Sequence, residues 1–326
     1  MNTFRTVLHP EVSPFQITHQ SGVLCMGSCF AEHIAKRLEH FKFNSFLNPF
    51  GIVYNPMSIA KGLDFLLENK KEFEENDLFQ HLDGWHSFQH HGSFSHPEKE
   101  VALTQINEAL NQGRQFLKTS EFLILTLGTA NVFVSEKTGE AVTNCHKVPQ
   151  QYFIKKELSV DEMLILLSEV IHQLNNTFPN LKIITTVSPV RHIRDGLIEN
   201  QVSKSKLLLA LNQISKQYSH VSYFPSYEIM MDDLRDYRFY KKDMIHPNDL
   251  AIDYIWDFFK KTYFAENTIV LNKRVGEIKR AMAHRPFHPL SVSHLEFKKK
   301  QLEKVEQMSK EIPSLNFEEE MDFFNK

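Results

Sequence analysis

Short apolar runs set between amphipathic helical patterns constrain this chain more than any other feature. VLCM (23–26) is wholly apolar, as a strand buried on both faces of a sheet must be. Phe30, Ile34 and Leu38 follow at i, i+4 and i+8 with charges between them, which predicts a helix over 29–40. The alternation then repeats. FNSFL (43–47), FLILTLG (122–128), KIITTVSPV (182–190) and a short run near SYFPSY (222–227) read as strands, with Pro189 stopping the third. Helical periodicity falls at 59–67, 100–117, 160–176, 199–217 and 248–263. Strands alternating with helices from residue 23 to residue 263 argue for an α/β fold whose parallel sheet is covered on both faces. Right-handed crossovers put every strand C-terminus on one edge, where ligands bind in such folds. Ser28, Gly128 and Ser188 each follow a strand and are expected on that edge.

Two stretches break the pattern. Residues 78–96 are rich in His, Gly and Ser and read as a long loop. Residues 265–326 are rich in Lys and Glu, with EFKKKQLEKVEQMSKEI as an exposed helix and an acidic, Phe-containing end. We therefore expect a domain over 1–264 and a charged helical extension over 265–326. The acidic-aromatic stretch 313–325 could dock a protein partner.

Composition excludes several classes. The net charge is −3, so no basic footprint points to a nucleic acid. MNTFRTVLHPEVSPFQ has no apolar core of signal-peptide length, and no run approaches the roughly 18 apolar residues of a membrane span. Three cysteines, Cys25, Cys29 and Cys145, imply no disulfide framework. A soluble, cytoplasmic protein is expected. His86, His90, His91 and His96 fall in one loop and His146 in TNCHKVP, without H-E-x-x-H or C-x-x-C, so no metal centre is expected. Neither G-x-x-x-x-G-K-[ST] nor G-x-G-x-x-G occurs, and no cofactor is expected.

The chemistry-bearing residues sit at strand ends. Ser28 lies in LCMGSCFAEHIAKRL (24–38), between strand and helix. A serine there is a favoured helix cap. The same position places its hydroxyl by free N–H groups and the positive end of the helix dipole, which would favour a developing oxyanion. Cys29, in the first helical turn, is the rival nucleophile if exposed and a packing residue if buried. In KKDMIHPNDLAIDYIWDFF (241–259), Asp243 could orient His246 while its other ring nitrogen faces a nucleophile; a surface-loop histidine is the plain alternative. Gly51 in LNPFGIVYNP (47–56) and Gly128 and Asn131 in LTLGTANVF (125–133) are either turn residues or oxyanion donors.

The order of these pieces resembles the SGNH (GDSL-like) hydrolase superfamily, and within it the GSCFA family, whose motif stands at Gly27–Ala31. NPFGIVYNP, NCHK, SPVRH (188–192) and LRDYRFYKKDMIHP are also similar to that family, over residues 20–262. The resemblance implies a three-layer α/β/α sandwich with a mainly parallel, flavodoxin-like sheet, and a Ser-His-Asp esterase site. It implies catalytic roles for Ser28, Asp243 and His246, and an oxyanion hole of Ser28, Gly51 and Asn131. The third block departs: G-x-N-D is expected, whereas G-T-A-N sets Asn131 one residue late and puts Val132 in place of the acid. The expected activity is a serine-dependent O-ester hydrolase on a small-molecule or carbohydrate ester, acetyl or acyl. An acyltransferase or a non-catalytic carbohydrate- or acyl-binding module are the alternatives. His90, Arg191 and His192 are the expected substrate contacts.

Overall fold

A computed structural model describes residues 5–68 and 71–325; the first four residues of the expected 1–264 domain lie outside it. Strand β1 (Gly22–Gly27) leads into helix α1 (Cys29–His40), then β2 (Ser45–Leu47) and α2 (Pro56–Leu67). A small hairpin follows, β3 (Phe79–His81) and β4 (Gly84–His86), then α3 (Lys99–Thr119) and β5 (Ser120–Leu127). Strands β6 (Asn131–Ser135), β7 (Ala141–Val142) and β8 (Phe153–Glu157) form a separate antiparallel sheet in the order β7-β6-β8. The chain continues through α4 (Val160–Thr177), β9 (Lys182–Val187), α5 (Leu197–Gln217) and β10 (Val221–Phe224). Next come α6 (Ser226–Glu228), a π-helical turn (Ile229–Leu234) and α7 (Asp249–Tyr263). The tail holds α8 (Glu266–Ala283), α9 (Val292–Glu311) and α10 (Glu318–Asn325).

The main sheet is parallel throughout, in the order β10-β9-β5-β1-β2. Counted along the chain this is 2-1-3-4-5, a doubly wound order whose reversal falls between β1 and β5. Alternate residues of β1 feed opposite cores: Leu24 and Met26 pack with residues of α2–α5, Val23 and Cys25 with residues of α1 and α7. Burying each such side chain contributes about 1.5–3 kcal/mol, which explains why wholly apolar strands occupy the centre. Among the described residues no helix is long and apolar enough to cross a membrane.

Two sequence expectations need correction. Residues 78–96 are not one loop, because Phe79 and Gln80 pair across the β3–β4 hairpin with His86 and Trp85. His90 is not a surface contact: it is fully buried among Phe50, Phe73 and Phe94, with Nδ1 by Ser87 Oγ at 3.0 Å, and burial lowers its pKa to about 3. The charged extension packs as helices with one apolar stripe buried. Phe317 and Phe324 are buried with Val275, Ile278, Val305 and Met308 in a core of their own. That core docks on the C-terminal end of α1, where Glu320 Oε1 lies 2.8 Å from Lys42 Nζ and 2.7 Å from Lys279 Nζ.

Candidate functional site

Gly27 and Ser28 make the turn from β1 into α1. Gly27 has φ +147, and a Cβ there would stand 2.3 Å from the Thr126 carbonyl oxygen, so only glycine lets β1 and β5 close at this point. Ser28 caps α1: its Oγ accepts the Phe30 N–H at 3.2 Å. The residue is 1% exposed. Cys29 beside it is half-buried; burial and the Glu32 carboxylate push its thiol up, against the pull of Lys204 and Lys241. A thiol held protonated is a weaker nucleophile than its thiolate.

Asp243 and His246 form a pair in the loop between the π-helical turn and α7. His246 Nδ1 lies 2.8 Å from Asp243 Oδ2, while Asp243 Oδ1 accepts the Ile245 and His246 N–H groups at 2.9 and 3.0 Å. Those N–H groups and the imidazole hold the carboxyl far below its ordinary value. Arg191 ties this loop to the segment after β9: its N–H donates to Ile245 O at 3.2 Å and its guanidinium to Met244 O at 3.2 Å. The guanidinium also lies near the Tyr237 and Tyr240 rings. Asn248 then caps α7, accepting the Ala251 N–H at 3.1 Å.

His192 packs over Gly128, just past the end of β5; a Cβ at 128 would meet His192 Nε2 at 2.8 Å. Burial first, then the charges of Lys204 and His246, lower the His192 pKa to about 3, so its imidazole is neutral. Its backbone N–H donates to the buried Asn200 Oδ1 at 2.8 Å. Lys204 is fully buried and donates to Ser188 O at 2.7 Å; burial lowers its pKa to about 7. Among the described residues no hydrogen bond joins Ser28 to His246, and no cluster of three or more His, Cys, Asp or Glu could hold a metal ion.

The family model described as the GSCFA family matches residues 22–259. The chain belongs to the GSCFA family. A second model, described as the C-terminal domain of GSCFA domain proteins, matches residues 275–326. No curated protein matches the chain.

In this GSCFA protein the expected oxyanion set of Ser28, Gly51 and Asn131 is not assembled as free donors. The Ser28 N–H donates to Thr126 O at 3.1 Å, continuing the β1–β5 ladder, and the Gly51 N–H closes a turn onto Asn48 O at 2.8 Å. Asn131 Nδ2 points to Asp195 Oδ2 at 3.4 Å. The donor that sequence reasoning passed over is Asn48. Its Oδ1 accepts the Gly27 N–H at 2.8 Å, which fixes the amide, and its Nδ2 is buried without a partner. Its φ of +45 suits asparagine, so the N of the N-P-F-G quartet was the available signal. His192 Nε2 is likewise buried and unpartnered.

Proposed function

We propose that this protein is a serine-dependent O-ester hydrolase of the SGNH type. One observation carries the reading: the Asp243–His246 pair at 2.8 Å, its carboxylate held ionised by two backbone N–H groups, in a loop whose Ile245 packs on the same core as Cys29 and Phe30, the residues after Ser28. In this mechanism His246 takes the Ser28 proton, and Asp243 fixes the imidazole tautomer. Ser28 Oγ attacks the ester carbonyl, the alcohol leaves with the proton from His246, and water releases the acid from the acyl-enzyme. With the Ser28 and Gly51 N–H groups engaged, the Asn48 amide becomes the donor to the oxyanion, at the switch point of a sandwich with helices on both faces. An acceptor hydroxyl in place of water gives the transferase variant of the same chemistry.

The missing Ser28–His246 hydrogen bond favours a second reading, a non-catalytic acyl- or carbohydrate-binding module on this fold. Catalytic hydrogen bonds often tighten only with substrate bound, which keeps the hydrolase first. A fluorophosphonate probe with mass mapping separates the two. Modification of Ser28, abolished in Ser28→Ala and retained in Cys29→Ala, is the expected result. Labelling that follows Cys29 would move the nucleophile, and no labelling at all would leave the binding module.

A further inference from the structure

The Ser28, Asp243 and His246 set makes no use of the NCHK segment or of the second half of NPFGIVYNP, yet the fold brings these together. Ile52 and Tyr54 from one, Cys145 and Lys147 from the other, and Arg194 beyond SPVRH line a single cavity of about 420 Å³. We infer that this cavity binds an anionic group, a carboxylate or a phosphate, carried by the substrate. The word substrate rests on the ester reading above; the anion rests on the cavity alone.

Charge is the first argument. Two cations line the cavity and no acidic residue does, in a chain whose net charge is −3. Among the described residues neither Lys147 nor Arg194 has a carboxylate at ion-pair distance. The neighbouring acid, Asp195, is taken by Lys155 at 2.8 Å. Arg194 is exposed along the cavity wall; burial raises both the Cys145 thiol and the Tyr54 hydroxyl, the Arg194 charge opposes this at both, and the Asp195 carboxylate adds to it at Tyr54.

Construction is the second. His146 and Lys147 both hold left-handed backbone, φ +48 and +62, which side-chained residues rarely adopt consecutively. The turn is pinned by the His146 N–H on Asn144 Oδ1 and by His146 Nε2 at Ser87 O, each 2.8 Å. Strain held in place this way sets the exposed Lys147 on the cavity wall. Tyr54 joins the cavity to the site: its carbonyl accepts the Gly128 N–H at 2.7 Å and its ring centroid is 5.1 Å from that of His192. An anion there would sit one aromatic side chain away from the Ser28 edge.

The test uses the full chain at low salt, where exposed charges are least screened. Calorimetric titration with succinate and with inorganic phosphate should show binding of at least one, which tells the two anions apart. The Arg194→Gln, Lys147→Gln double variant, checked for an unchanged melting curve, should weaken that binding by about tenfold or more. Mono-4-nitrophenyl succinate should be turned over better than 4-nitrophenyl acetate, and the double variant should collapse that ratio. Binding of neither anion, or a ratio indifferent to the double variant, overturns the inference. Anion binding lost in the variant while Ser28 resists the fluorophosphonate would sink the ester reading and sustain the anion site.

Discussion

Asn48→Asp removes a hydrogen-bond donor while keeping the acceptor that holds its turn, and it adds a carboxyl group that would also repel an oxyanion. Asp keeps an oxygen where Oδ1 accepts the Gly27 N–H at 2.8 Å, and it tolerates the left-handed φ of +45. What it loses is the Nδ2 donor, which has no protein partner. A buried amide left unpaired costs about 1–3 kcal/mol, so the wild type carries a penalty that a reaction-stage partner would relieve. If that partner is the oxyanion on Ser28, removing the donor should cost about 3–4 kcal/mol of barrier, a fall of 10²–10³ in kcat with KM little changed. Ester turnover and the rate of fluorophosphonate labelling both read this, and a melting curve reports the fold. Asn48→Ala separates the two roles, since it also strips Gly27 of its acceptor and should lower stability by about 1–3 kcal/mol. Turnover in Asn48→Asp within threefold of wild type would refute the donor role and leave Asn48 as a turn residue.

Two further expectations concern stability. The Lys204 side chain has a pKa of about 7 against an ordinary 10.5, so between those values the unfolded chain holds a proton that the folded chain does not. Stability should rise with pH across that window, by at most about 1.4 kcal/mol per pH unit, and the burial penalty is fully felt below pH 7. Denaturant unfolding of wild type and Lys204→Met at several pH values checks this; a pH-independent difference would contradict it. Burial alone would raise the Glu320 carboxyl, but the Lys279 and Lys42 ammonium groups hold it below its ordinary value. Its contribution is present above the usual carboxylate range and fades as pH falls through the lowered value. Glu320→Ala leaves two buried-side cations facing each other and should cost about 3–5 kcal/mol, opening α8–α10 to limited proteolysis; an unchanged digestion pattern would count against the clamp.

The core sheet was legible because β1, β5 and β9 are buried on both faces and so carry no polar alternation to confuse them. The turn at Ser28 was legible because a wholly apolar run ends in glycine and serine just where an amphipathic helical pattern begins, and serine is a favoured cap there. The β6–β8 sheet was not, since its strands are short and partly exposed, and β6 pairs with β8 more than a dozen positions away. The exposed face of β8, Ile154–Glu157, reads as charged loop. His90 misled for the opposite reason. A histidine among loop polar residues suggests a surface contact, while Phe50 and Phe73, distant in sequence, close over it together with the nearby Phe94. The engaged N–H groups of Ser28 and Gly51 were invisible because a motif names residues and not which of their donors the backbone has already spent. The tail was legible in outline only: its charges mark the solvent face, and its few phenylalanines decide where it packs.

The docking of the tail on α1 sets a schedule for biosynthesis. Lys42 Nζ donates to the Asn316 carbonyl at 2.6 Å, a contact between residues 274 positions apart. The strand and helix that present Ser28 leave the ribosome early, yet the far end of that helix stays uncovered until residues 316–320 have been made. Contacts of such separation form late and slowly. Until then Phe41, which stacks on Trp256 and lies against Gly276, offers a sticky apolar end to any neighbouring chain or chaperone.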